Sequence, residues 1–142
     1  MRLIEFSVAG QPQGKGRARV STYGGFARAY TPEKTAAYES LIKQRYVLSR
    51  QEKLAGALKM SLRAYYAIPQ SFSRKKRIAA VNGEIRPVVK PDMDNVIKVV
   101  CDALNGLAYD DDRQITEITA RKYYGEEARV EIEITEETDN GS

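Results

Sequence analysis

Over residues 91–107 the chain carries its strongest periodicity. Met93, Val96, Ile97, Val100, Ala103, Leu104 and Leu107 recur at helical spacing, and Gly106 stands where such a helix would close. Residues three and four apart share one side of a helix, so this segment has to bury a face against a partner layer. A second, polar stripe is left over, with Asp94, Lys98 and Asp102 spaced by four. The flanking sequence supplies the partner layer. Residues 3–8, 58–66, 114–124 and 128–135 alternate apolar with polar and read as strands. The last two, joined through Gly125, predict a terminal antiparallel hairpin.

Two further helices complete the pattern. Thr31-Pro32-Glu33 combines a capping hydroxyl, a proline suited to the first helical position and an acid favoured by the helix dipole. The helix it opens should reach about Arg50, with Ala37, Tyr38, Leu41 and Val47 or Leu48 on its apolar face. Ser73 caps a short helix carrying Arg74, Lys75, Lys76 and Arg77 in one turn. The order β-α-β-α-α-β-β predicts an α+β fold, with a mixed sheet of about four strands and helices mainly on one face. Residues 1–135 read as one domain, long enough to bury a core, and 136–142 as a polar, frayed tail.

Composition excludes much chemistry. The 142 residues contain no histidine and one cysteine, Cys101. This removes Ser-His-Asp and Cys-His catalysis, histidine-based metal nucleases and proteases, disulfides and multi-cysteine zinc sites. Cys101 lies within the apolar helix and reads as a small buried hydrophobe. No apolar run is long enough to span a bilayer and no basic-then-apolar leader opens the chain, so a soluble cytoplasmic protein is the expectation.

Charge is lopsided. Residues 1–90 hold 18 Lys/Arg against 5 Asp/Glu, whereas residues 91–142 hold 5 against 14. A basic region holding phosphates beside a focused acidic patch is the balance expected of an enzyme that cuts a polyanion, the patch being neutralised by metal ions. The candidate phosphate contacts are Lys15, Arg17, Arg19 and Arg28 in a glycine-punctuated loop, and Arg74, Lys75, Lys76 and Arg77. The plainer alternative is a flexible hairpin and a solvated helix end.

The acidic patch has internal order. Asp92 and Asp94 are two residues apart, Lys98 follows by four, and Asp110, Asp111 and Asp112 lie beyond the next apolar segment. Residues i and i+2 of a helix diverge, so if both carboxylates share a metal, Asp92 must precede the helix, where Pro91 favours an entry. Lys98 falls on nearly the same face as Asp94 and can stabilise charge developing on a phosphate; Asp102 can orient it. Oxygen-only donors suit Mg²⁺ or Mn²⁺. The rival reading is helix capping by Asp92 and an Asx-rich turn at Asp110 to Asp112.

The string Lys90-Pro91-Asp92-Met93-Asp94-Asn95, Lys98, Asp102-Ala103-Leu104-Asn105-Gly106 and Tyr109-Asp110-Asp111-Asp112-Arg113-Gln114 resembles the RusA family of Holliday junction resolvases. The close match covers about 25 contiguous residues, and the order of elements fits the rest of the chain. The resemblance implies a RusA-like fold and a Mg²⁺-dependent endonuclease of bacteria and phages. It implies a homodimer that nicks opposed strands of a four-way DNA junction. The family's catalytic aspartates fall on Asp92, Asp94 and one of the downstream cluster, and its functional lysine on Lys98. Anchoring on Gln114 selects Asp112, with Asp111 beside it. The spacing is one residue shorter than in the family's prototype, and Asp110 remains a third candidate. The dimer surface is expected on the terminal hairpin, with Ile132, Ile134 and Tyr123 or Tyr124. The rivals are a less structure-selective metal nuclease and a non-catalytic nucleic-acid-binding module whose aspartates are structural.

Overall fold

Strand β4 (Leu58–Ala67) organises the molecule. Its burial alternates residue by residue, with Leu58, Met60, Leu62, Ala64 and Tyr66 buried. This is the period-two pattern of a strand with one face in the core. The structure, a computed structural model, describes residues 2–16, 19–21, 28–30 and 33–137. In it β4 pairs antiparallel with β6 (Arg129–Glu136) and parallel with β5 (Ile115–Gly125). Strand β1 (Leu3–Ala9) adds antiparallel to the far side of β6, giving the order β1-β6-β4-β5. The expected α+β fold with a four-stranded mixed sheet is therefore present. A separate short pair, β2 (Arg19–Ser21) and β3 (Arg28–Tyr30), lies between β1 and the first helix.

One face of the sheet is dry. Ile4 and Val8 of β1 join Val130, Ile132 and Ile134 of β6 and the buried row of β4. They meet helix α1 (Glu33–Leu48) through Tyr38, Ile42 and Tyr46, and helix α3 (Met93–Leu104) through Val99, Val100, Ala103 and Leu104. Helix α2 (Arg74–Val81) is capped as the sequence predicts, Ser73 accepting from the Lys76 amide at 3.2 Å. The other sheet face is polar. There Glu131 bridges Arg63 and Arg129, and Tyr65 stacks on Tyr123 with ring centres 5.3 Å apart.

Three expectations change. The terminal hairpin does not form: β5 and β6 are separated by β4. Crossing one intervening strand means covering about 10 Å, two interstrand spacings, which the few residues between Gly125 and Arg129 can span. Glycine eases the crossing, because a Cβ at Gly125 would lie 3.2 Å from the Tyr65 ring of β4, which would have to give by a few tenths of an ångström. Secondly, Ile132 and Ile134 are core residues, 1% and 0% exposed, so they cannot supply a dimer surface. Tyr124 packs edge-on against Phe72 beside the core. Thirdly, α1 buries Tyr38, Ile42 and Tyr46, whereas Val47 and Leu48 are exposed. The i, i+4 row through the two tyrosines selects the buried stripe.

The carboxy-terminal end is tied in further than the frayed tail predicted. Glu136 belongs to β6; it receives the Arg2 guanidinium at 2.7 Å and the Ala55 amide at 2.8 Å, and the Glu137 amide donates to Ala57. Residues 138–142 lie outside the described residues. The Arg2 hydrogen bond, followed by the Ala55 amide, holds the Glu136 carboxyl down at about 2. A depressed acid stabilises the fold fully above its unfolded value near 4.5 and loses that contribution as pH falls toward the folded value. Glu136→Gln should therefore be less stable than the parent at pH 7, with the gap closing as pH is lowered from 4.5 toward 2. Urea denaturation at stepped pH checks this; a gap that stays constant between pH 7 and pH 3 would rule it out.

Candidate active site

The candidate site is built on the outward ridge of α3. Val96, Val99, Val100, Ala103 and Leu104 are fully buried, so the opposite stripe of Asp94, Lys98 and Asp102 has to face away from the sheet. Asp92 is the residue before the first turn, in extended conformation, and its side chain makes no capping hydrogen bond. Its backbone carbonyl accepts from the Val96 amide at 3.1 Å. The carboxylate is thus not spent on the helix end, which is the role the rival reading gave it.

Two other segments hold that end in place. Residues 13–16 pass directly over it. The Lys15 amide donates to the Asn95 carbonyl at 2.9 Å, and the Gly16 amide donates to Thr35 Oγ1 at 3.0 Å. The approach demands glycine at position 14, where a Cβ would come within 2.8 Å of Asn95 Cβ and 3.0 Å of Pro91 Cβ. From the sheet side, Tyr66 Oη donates to the Pro91 carbonyl at 2.7 Å. Burial first, then Tyr38 and Asp92, push the Tyr66 phenol up to about 12. Tyr38, also buried, is pushed to about 12 by burial, and its hydroxyl makes no well-formed hydrogen bond among the described residues.

The downstream aspartates occupy the turn between α3 and β5, and each does something different. Asp110 forms an ion pair with Lys53. Asp111 caps a short 3-10 turn, accepting from the Arg113 amide at 3.0 Å; that bond first, then a hydrogen bond with the Asp112 carboxyl and the Arg113 charge, keep its carboxyl below the ordinary range. Gln114 Oε1 returns the favour, accepting from the amides of Asp110 and Asp111 at 2.9 and 3.0 Å. The Asp112 amide donates to Asn105 Oδ1 at 2.9 Å, which ties Asp112 to the end of α3. Partial burial, then Asp111 and Asp102, raise the Asp112 carboxyl above its usual value, with Lys98 opposing. Of the three, Asp112 is the one that also feels the charges of the α3 ridge, after burial and its neighbour Asp111.

Electrostatics along the ridge favour a free Lys98. Asp102 lies 3.3 Å from Lys15 and 3.9 Å from Lys98, and Lys15 also holds Glu39 at 2.6 Å. Burial works against the Lys15 ammonium, but its bonds to Glu39 and Asp102 outweigh that and raise its pKa. Lys15 is a half-enclosed link between the loop, α1 and α3, whereas Lys98 is 63% exposed. Arg17 lies outside the described residues; Arg19 and Arg28 sit in β2 and β3. Arg74, Lys75 and Lys76 are exposed on α2, Lys76 over the Phe72 ring at 4.2 Å and Arg77 donating to the Pro69 carbonyl at 3.4 Å.

A hard divalent cation fits this donor set chemically. All the candidate ligands are carboxylates, Asp92 is uncommitted by capping, and Asp112 stands among negative neighbours that a cation would relieve. Among the described residues no three carboxylates converge closely enough to chelate one ion in this conformation. Sequence reasoning missed Glu39, Tyr66 and the structural part of Lys15, because each reaches the site across a long sequence separation. Asn105 was within reach of inspection, standing between the helix and Gly106.

Comparison with known proteins identifies the family. A Bacillus subtilis (strain 168) protein named uncharacterized protein YqaN is 37% identical over 139 residues, covering 96% of this chain and 98% of its own length. The crossover junction endodeoxyribonuclease rusA of Lactococcus phage r1t is 40% identical over 80 residues, 56% of this chain and 54% of that protein. The family described as endodeoxyribonuclease RusA matches residues 9–135, a span holding the α3 ridge, the aspartate turn and strands β4 and β5 of the sheet, and the chain belongs to that family.

Proposed function

We propose that this protein is a divalent-metal-dependent endodeoxyribonuclease that resolves Holliday junctions and related branched DNA by paired nicks, acting as a homodimer. The observation that carries the reading is the α3 ridge. Asp94, Lys98 and Asp102 face outward in line, Asp92 stands uncommitted at one end, and Asp112 sits in the field of Lys98 and Asp102 at the other. Family membership supports the reaction class, and the name of the phage r1t relative supports a crossover junction as substrate. Two identical sites related by a two-fold axis suit two opposed cuts. The relatives come from a bacterium and a phage, and a cytoplasmic place of action fits a DNA substrate. No helix among the described residues is long and apolar enough to cross a membrane.

Asp92, Asp94 and Asp112, with Asp111 beside it, are the residues that would hold Mg²⁺ or Mn²⁺. Once bound, such an ion supplies a Lewis acid for the phosphate and a more acidic water. The amino end of α3 presents backbone N–H groups and a positive dipole end to the same phosphate. Lys98, with Asp102 claimed more closely by Lys15, keeps its ammonium for charge that grows during cleavage. Helix α2 holds an arm of the DNA: four cations at its amino end oppose its own dipole and one another, a cost that phosphates offset.

Asp94→Asn should bind junction DNA and fail to cut it, because the lost charge removes metal binding while easing phosphate repulsion. Gel-shift and nicking assays with Mg²⁺ on a synthetic four-way junction, a linear duplex and a flap decide this; wild-type nicking by the variant would remove Asp94 from the site.

Lys98→Ala should lower single-turnover cleavage by roughly a hundredfold at saturating junction, with affinity little changed, and Lys98→Arg should recover part of the loss. An exposed i, i+4 pair with Asp102 is worth only about 0.3–0.5 kcal/mol, so a rate within about twofold of the parent would mean that Lys98 does no more than that.

Replacing Arg74, Lys75, Lys76 and Arg77 together with alanine should weaken binding. It should also flatten the slope of log affinity against log salt by about one unit for each cation that reaches a phosphate. An unchanged slope would return α2 to an ordinary solvated surface.

A further inference from the structure

The segment that leads into Asp92 is held by two side chains from the sheet. Tyr66, near the end of β4, donates to the Pro91 carbonyl at 2.7 Å; Lys122, on the neighbouring β5, donates to the Val89 carbonyl at 2.6 Å. The two donors are also in contact, the Lys122 ammonium lying 4.9 Å from the centre of the Tyr66 ring. They grip the carbonyls of Val89 and Pro91, on either side of the cis Lys90–Pro91 peptide bond, in a stretch that belongs to neither sheet. Tyr66 is 2% exposed, so its hydrogen bond is shielded from competing water.

The grip ends one residue before Asp92. The Asp92 side chain makes no bond to the helix end, so among the described residues its position follows the main chain on either side. On the helix side that chain is fixed by α3 and by the Lys15 amide on the Asn95 carbonyl. On the approach side it is fixed by Tyr66 and Lys122.

We infer that Tyr66 and Lys122 are positioning residues for the metal-binding carboxylates: by holding the carbonyls of Pro91 and Val89 they set where Asp92 and Asp94 stand. They touch neither substrate nor ion, and they act through the backbone. The inference rests on the reading of Asp92 and Asp94 as ligands. The reason for a grip from the sheet is geometric. An ion held by carboxylates from two separate segments needs them placed to a fraction of an ångström, and a free loop does not supply that.

The test is Mn²⁺ titration of the full chain, by the loss of its free electron-paramagnetic signal, in the parent, Tyr66→Phe, Lys122→Met and Asp94→Asn. Junction cleavage is then measured at limiting and saturating Mn²⁺. Tyr66→Phe keeps the ring and removes only the donor. It should weaken Mn²⁺ affinity by about tenfold or more, and saturating Mn²⁺ should restore cleavage to near the parent rate. Lys122→Met should shift affinity in the same direction. A variant that only loosened the fold would lose rate without rescue by metal. Mn²⁺ affinity equal to the parent's in both variants, with Asp94→Asn failing to bind, overturns the positioning role and leaves the metal site standing. If the parent itself binds no Mn²⁺, or Asp94→Asn binds as well as the parent, the metal reading falls, and the positioning role with it. If Tyr66→Phe does not fold, Lys122→Met decides, since its half-exposed side chain is not part of the core; unaltered affinity there overturns the inference.

Discussion

The rotation of α3 about its own axis is the constraint from which the rest of the site follows. Each fully buried Val or Leu on its inner face is worth about 1.5–3 kcal/mol relative to exposure, and Val96, Val99, Val100 and Leu104 are all fully buried. An exposed ion pair such as Lys98 with Asp102 is worth a few tenths of that. Apolar packing therefore decides which way the helix faces, and the polar stripe is carried outward as a consequence. The helix packs against α1 and against the sheet at β4 and β5, Cys101 meeting Met60 of the dry face, and the orientation of β4 is enforced by strict alternation along the strand. A one-residue slip of β4 would bring Lys59, Ser61 and Arg63 into the core, so the register of the sheet and the facing of the site are one problem.

Much of what looks catalytic in the aspartate-rich turn holds the turn itself. Asp111 and Gln114 cap one another's backbone, Asp110 pairs with Lys53, and Gln114 Nε2 reaches the Gly56 carbonyl at 3.0 Å to dock the turn on the start of β4. Behind it the buried Tyr109 donates to the Cys101 carbonyl at 2.8 Å, locking the turn to the last turns of α3. Cys101 sits there as a small buried group, its thiol pushed up to about 11 first by burial, which makes it a poor nucleophile. The outcome of this scaffolding is that Asp112 is held to Asn105 and faces the charges of Asp102 and Lys98. The structural and the chemical readings of the cluster both apply, to different residues.

The site is also closed from outside the motif. Lys15 carries the amino-terminal loop onto α3 and takes up the charge of Asp102 and Glu39, and Gly14 permits that approach by lacking a Cβ. Tyr66 and Lys122 hold the other approach. An element at each end of the chain thus converges on four residues in its middle, a convergence that only the completed sheet makes possible.

Local and periodic features were legible from the residues alone. The apolar period of α3, the Ser73 cap of α2, the alternation of β1, β4 and β6, and the buried character of Cys101 each depend on neighbours a few positions away. So does the outward line of Asp94, Lys98 and Asp102, because a helix with one buried face has only one place for them. The pairing of strands was a different matter. Residues 114–124 and 128–135 looked like a hairpin because a short connection usually joins neighbours. Yet β4 lies between them, since β6 buries Val130, Ile132 and Ile134 and is bonded along both edges. Which aspartate of the turn meets the ridge, and that Lys15 spends its charge inside the site, also required the fold. Periodicity records which side of an element is buried; it holds no record of which distant element does the burying, and that choice belongs to the tertiary structure.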